Sequence, residues 1–226
     1  MARTQATTGA AQTWRVETPR GPAEVELTMP ARSPSALLAL GHGAGGSVDA
    51  PDLRAVRAAA LAGGVAVARI TQPYRVAGRR STPPAGHLDE AWTAVLADLR
   101  GRPGLAGIPL VTGGRSSGAR VACRTAAAVG AAGVVALAFP LHPPGRPERS
   151  RAGELDGAVP TLVVNGDRDP FGVPTESPGV TVVVRPGDRH DLRRDPAGLA
   201  ELVLGFLRDH GWAVAPARGQ SARSSR

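Results

Sequence analysis

The chain contains no lysine. All 27 of its basic residues are arginine, against 19 acidic ones, and the formal net charge is +8. Total exclusion of one basic residue type reads as genome-wide composition bias rather than adaptation to a partner. A nucleic-acid binder gathers its basic residues on one face and interleaves them with stacking aromatics. Here the arginines are scattered and aromatics make up only 3% of the chain, so no nucleic-acid partner is expected. The same scarcity leaves Ala, Val and Leu to build most of the core.

Cysteine is nearly absent too. The single Cys123 rules out an internal disulfide and any cysteine-based zinc cluster, and its place in a predicted helix suits a buried, inert thiol. No apolar run reads as a membrane span. The uncharged stretch Thr125 to Gly145 is mostly Ala and is broken by Gly130, Gly133 and Pro140, as a helix end, a turn and a buried strand would be. The amino-terminal "MARTQATTGAAQ" has no apolar core and is no secretory signal. A cytoplasmic protein without membrane association is expected.

At 226 residues the chain suits one domain with a sizeable core. That domain is expected over residues 12–212. Residues 1–11 and 213–226 are small, polar and Arg-bearing, and are expected to be disordered tails. Within the domain, short β-branched runs alternate with longer Ala-rich amphipathic segments. Strands are predicted at Trp14–Glu17, Ala23–Leu27, Ala36–Leu40, Val65–Ile70, Ile108–Thr112, Val134–Ala138, Thr161–Val164 and Val180–Val184. Helices are predicted at Asp52–Ala62, His87–Arg100, Ser117–Val129 and Pro196–His210. Continuous apolar strands separated by helices mean a mostly parallel sheet covered on both faces, a doubly wound α/β architecture. The turn "TPRGP" between the first two strands makes that edge an antiparallel hairpin.

The hexapeptide "GHGAGG", Gly41 to Gly46, poses the functional question. It satisfies G-x-G-x-x-G, the loop that cradles a dinucleotide pyrophosphate. It also reads as His-Gly-x-Gly-Gly, the loop that supplies half an oxyanion hole in serine hydrolases. The dinucleotide reading needs a helix starting within the glycines and an acidic residue at the end of the next strand. Instead "SVDAP" intervenes, placing Asp49 and Asp52 where phosphate would sit, and the next strand ends in Arg69-Ile70-Thr71. Only Arg69, as a reader of a 2′-phosphate, keeps an NADP-dependent reductase in play.

The hydrolase reading predicts a partner motif, and "GGRSSG" supplies it: Gly114-Arg115-Ser116-Ser117-Gly118 is G-x-S-x-G between a strand and a helix. That context puts Ser116 on a strained corner, with its Oγ above the sheet and the Ser117 N–H aimed at any oxyanion. Ser116 as a simple helix cap is the competing explanation. A serine nucleophile needs a base, and the base an orienting carboxylate. Strand ends downstream carry "NGDRDPFG" and "RPGDRHDL", in the order Ser, Asp, His that this fold uses.

Together "GHGAGG", "GGRSSGARVA", "FPLHPPG", "NGDRDPFG" and "GDRHDL" resemble the small, capless α/β-hydrolases related to dienelactone hydrolase. The resemblance runs from about Trp14 to Trp212. It is nearest to the α/β-hydrolase-like domain also found in a chromatin-complex subunit and a testis-expressed protein. It implies the α/β-hydrolase fold without a cap domain and a triad of Ser116, Asp169 and His190. Dienelactone hydrolase itself carries a Cys nucleophile, whereas this chain has Ser at the elbow.

The choice of Asp169 over Asp167 and Asp188 rests on that resemblance. His190 competes with His42, His87, His142 and His210; His210 fits a helix C-terminus, and His42 belongs to the oxyanion loop. The Ala44 and Ser117 amides are the expected oxyanion donors. His142 is a candidate for lining the substrate cleft, and Arg115 either meets a substrate carboxylate or anchors a neighbouring loop. The function expected is cleavage of a small carboxylic ester or thioester, with no metal or organic cofactor. The alternatives are a non-catalytic α/β-hydrolase-like scaffold and the reductase.

Overall fold

The computed structural model describes residues 9–214. Residues 1–8 and 215–226 of the two expected tails lie outside the described residues. The ends that are described are attached to the body: the Gly9 N–H donates to Met29 O at 3.2 Å and the Val214 N–H to Gly63 O at 2.9 Å.

Eight strands of the described residues form one sheet: β1 (Gln12–Val16), β2 (Ala23–Thr28), β3 (Leu37–Gly41), β4 (Ala66–Thr71), β5 (Leu110–Arg115), β6 (Gly133–Leu137), β7 (Thr161–Gly166) and β8 (Val180–Arg185). Their spatial order is β1-β2-β4-β3-β5-β6-β7-β8. β2 runs antiparallel to both β1 and β4, and every later pairing is parallel. Among the described residues five α-helices complete the fold: α1 (Pro51–Ala62), α2 (Pro73–Val76), α3 (Ala85–Arg100), α4 (Ser117–Thr125) and α5 (Pro196–Asp209).

The apolar strands are continuous because both faces are covered. On β3, Leu38 and Leu40 pack in the cluster holding Leu53 and Val56 of α1 and Leu199, Val203 and Leu207 of α5. Leu37 and Ala39 turn to the other face, with Leu88, Trp92, Val95 and Leu99 of α3. Alternation of side chains across a strand sends successive apolar residues to opposite layers. Each of these residues is at most 5% exposed, and burying such a side chain contributes about 1.5–3 kcal/mol.

Beyond shifts of one or two residues at element ends, three details depart from the sequence expectations. α4 stops at Thr125 rather than Val129, and turns closed by Val129 N–H to Thr125 O and Ala131 N–H to Ala126 O carry the chain onward. The single-turn α2, started by Pro73, is too short to show a periodicity. β5 continues past Thr112 through Gly113 and Gly114 to Arg115. Both glycines are required there, since a Cβ would stand 2.6 Å from Val135 O at the first and 2.6 Å from Gly41 O at the second.

No cap domain is inserted among the described residues. Between β6 and β7 the chain makes only a 3-10 turn at Ala152–Glu154. Glu154 pairs with Arg120 and Arg124 of α4, and Arg151 donates to Pro140 O, so this excursion is tied against α4.

Candidate active site

The end of β5 delivers Ser116 into a conformation that L-residues avoid, φ 54° and ψ −110°, before α4 begins at Ser117. Such a backbone costs on the order of 1–3 kcal/mol and persists only where the surroundings enforce it. Ser116 N–H donates to Leu137 O at 2.9 Å, which ties the elbow to β6. No side-chain cap bond is made by Ser116, so the helix-cap explanation fails and the hydroxyl is left to other partners.

Its partner is His190, whose Nε2 lies 2.8 Å from Ser116 Oγ. The other ring nitrogen, Nδ1, lies 2.8 Å from Asp169 Oδ2. The Asp169 side chain is fully buried, and its Oδ1 accepts the Phe171 N–H at 2.9 Å. A carboxylate on Nδ1 holds the proton there and leaves Nε2 free to accept one from a hydroxyl.

The competing aspartates are occupied elsewhere. Asp167 Oδ1 accepts the Gly187 N–H at 2.7 Å, and Asp188 holds the Arg185 Nε and Arg194 N–H. The other histidines are also placed. His210 Nδ1 bonds Phe206 O at the end of α5, and its ring stacks on Trp212. His87 lies on α3, beside a cleft of about 620 Å³ between the β1–β2 turn, α2 and α3 that contains neither Ser116 nor His190. His142 Nδ1 bonds Pro143 O, and its Nε2 packs against Gly172.

His42 supports the glycine loop from below. Its Nε2 accepts the Gln72 N–H at 3.1 Å, so Nδ1 carries the proton and donates to Gly43 O at 2.8 Å. Burial holds its pKa below the usual histidine value, with the Gly43 carbonyl opposing the shift. Tyr74 OH donates to Ala44 O at 2.7 Å, and the Gly46 N–H closes the turn onto Gly43 O. Gly43 faces Ser116 so closely that a Cβ would meet the serine Cβ at 3.5 Å. The Ser117 N–H, first in α4, has no carbonyl a turn before it within the helix.

Arg115 does not point freely to solvent. Its Nε lies 3.0 Å from Asp52 Oδ2, and its Nη2 donates to His190 O at 3.2 Å. It thus bridges α1 and the loop after β8 while also lining the cavity beside His190. Arg69, the remaining support for a dinucleotide, has its guanidinium taken by Glu26 and Asp49.

A shallow cavity of about 420 Å³ opens beside His190, lined by Arg115, Arg168, Pro170, Arg189, His190 and Asp191. His142 is not part of its lining. Two residues the sequence reading missed complete the site. The Phe171 ring lies 4.2 Å from the His190 ring. Asn165, wholly buried at the end of β7, exchanges bonds with the Phe139 backbone and donates to Gly172 O. The "NG" before "DRDPFG" was the only available signal for it.

The sequence matches the Alpha/beta hydrolase domain family over residues 34–191. The chain belongs to that family. A search of curated proteins finds no match. Among solved structures, the hydrolase domain is similar to a lidless a/b serine hydrolase from Xanthomonas campestris. That pair has a TM-score of 0.72 at 21% identity, covering 92% of this chain and 97% of the other. Dienelactone hydrolase from Anabaena variabilis gives 0.72 at 18% identity, with 88% and 97% covered. Est1E from Butyrivibrio proteoclasticus, described with ferulic acid bound, gives 0.71 at 17%, with 87% and 98% covered. At these identities the likeness establishes the α/β-hydrolase fold. No helix among the described residues is long and apolar enough to cross a membrane.

Proposed function

We propose that this hydrolase domain cleaves a small carboxylic ester or thioester through an acyl-enzyme. The observation that carries the reading is the unbroken chain Ser116 Oγ–His190 Nε2–His190 Nδ1–Asp169 Oδ2, with both links at 2.8 Å, on a strained elbow. His190 Nε2 takes the Ser116 proton as Oγ attacks the ester carbonyl. The electron pair moves onto the carbonyl oxygen, which the Ala44 and Ser117 amides receive. Collapse expels the alcohol or thiol, which takes the proton from His190. Water then repeats the cycle, releasing the acid and freeing Ser116. Asp169 keeps Nδ1 protonated throughout and stabilises the transient imidazolium.

The finer likeness, to the domain shared with a chromatin-complex subunit and a testis-expressed protein, rests on the five motifs alone. Their intact Ser, His and Asp favour an enzyme over a scaffold.

The test is labelling by a fluorophosphonate probe followed by a panel of short esters. Wild type and Ser117→Ala should label, with Ser116→Ala unlabelled yet folded. Labelling that survives Ser116→Ala, or a wild type that neither labels nor hydrolyses any ester, overturns the reading.

A further inference from the structure

Arg115 joins three pieces of chain that are distant in sequence. It is the residue before Ser116, it lies 3.0 Å from Asp52 in the first turn of α1, and it donates to the main-chain oxygen of His190. The Asp52 side chain is wholly buried, and neither of its oxygens has an aligned hydrogen bond. Burial pushes its carboxyl above the usual range, partly offset by the arginine. Taking such a pair out of water carries a large desolvation cost, and apolar residues often stabilise a fold as well or better. Packing alone therefore does not account for it.

What the pair reaches does. His190 stands on the loop between β8 and α5, outside any strand or helix. Leu192, fully buried at φ 47°, holds that loop from beneath, and Phe171 flanks the imidazole. Neither of these belongs to the nucleophile elbow. Arg115 does, and its guanidinium is planar and stiff, with separate nitrogens for Asp52 and for the His190 carbonyl. It is only 16% exposed at the side chain, so it is held rather than presented to solvent.

We propose that Asp52 and Arg115 are positioning residues: Asp52 orients Arg115, and Arg115 straps the His190 loop to the elbow and thereby sets the Nε2–Oγ distance. This rests on the serine-hydrolase reading. The strap removes the freedom of the His190 loop to move relative to Ser116, a displacement that at about 1 Å costs roughly 100-fold in rate.

The experiment compares wild type, Arg115→Lys, and the double variant Asp52→Asn/Arg115→Met, which removes both charges and so leaves no unpaired ion in the interior. Three quantities are read: melting temperature, kcat and KM on a short ester, and the low-field proton resonance of His190 Nδ1–H. The double variant should melt close to wild type, lose or broaden that resonance, and drop in kcat by about 100-fold with KM nearly unchanged. Arg115→Lys, whose single ammonium cannot serve both partners in the same way, should fall between. A folded double variant that keeps the resonance and kcat overturns the strap. A variant that keeps the resonance and loses only KM also overturns it, since Arg115 would then be a substrate contact. The resonance needs no turnover, so a wild type inactive on every ester would sink the hydrolase reading while the strap was still decided.

Discussion

Gly118→Ala is the sharpest probe of the elbow, because two effects of opposite sign meet there. Gly118 lies in the first turn of α4, where alanine is ordinarily better than glycine by about 0.8–1.0 kcal/mol. Its neighbours reverse that. A Cβ would stand 2.5 Å from Gly41 O, 2.6 Å from Gly41 C and 2.9 Å from His42 O, all backbone atoms. Reaching ordinary contact requires β3 and α4 to part by about half an ångström or more, and overpacking of this kind costs about 1–3 kcal/mol. The net is a loss of up to about 2 kcal/mol, which for a chain of this size is about 4–8 °C in melting temperature. The displaced segment is the one that leads into Gly43 and Ala44. The rate of fluorophosphonate labelling should therefore fall by more than tenfold in protein that is still folded at the assay temperature. The control is Gly205→Ala in α5, where a Cβ meets nothing within 4 Å. It should melt at or above wild type and label normally. A Gly118→Ala protein that melts higher than wild type and labels at full rate would refute the argument that the β3–α4 approach positions the oxyanion loop.

Asp169→Asn should lower turnover by about 10⁴-fold, because an amide leaves the His190 tautomer wrong for proton abstraction. Asp167→Asn removes only a bond to the Gly187 N–H and should cost far less; equal losses measured by kcat would put the wrong aspartate behind His190. Burial lowers the His42 pKa in the fold, where Nε2 accepts the Gln72 N–H, while the unfolded chain protonates it near its ordinary value of 6.5. Its contribution is thus complete above that value and is lost as pH falls below it. Denaturant titrations of wild type and His42→Gln should differ in this slope; identical slopes would mean that burial does not lower the His42 pKa. Cys123, whose pKa burial pushes up to about 12, should react with a thiol reagent only as fast as the protein opens, and rapid modification of folded protein contradicts its placement. The cavity beside His190 is open to solvent, so it forgoes most of the about 0.8 kcal/mol per methylene that a closed apolar tunnel provides. Acetate and butyrate esters should be turned over better than C12 ones, and a kcat/KM that climbs steadily to C12 refutes an open site.

What could be read from the sequence was whatever repeats locally. Apolar runs such as Leu37–Leu40 declared β3 because a strand covered on both faces leaves no place for a polar residue. The strand–"GGRSSG"–helix order declared the elbow, because glycines must stand where Val135 and Gly41 backbone press in. The rest depended on contacts between distant positions. Asp167, Asp169 and Asp188 all follow strand ends, and nothing local distinguishes them; only the packing of β7 beside β8 leaves Asp169 facing His190, 21 residues away. Ser116 and His190 meet across 74 residues, Phe171 acts from a loop with no periodicity, Asn165 from the end of β7 bonds a loop beside it, and Arg115 has meaning only once α1 brings Asp52 to it. Periodicity records which face of an element is buried. It carries no information about which side chains from separate elements converge at the sheet's carboxyl edge, because that is set by sheet order and loop conformation.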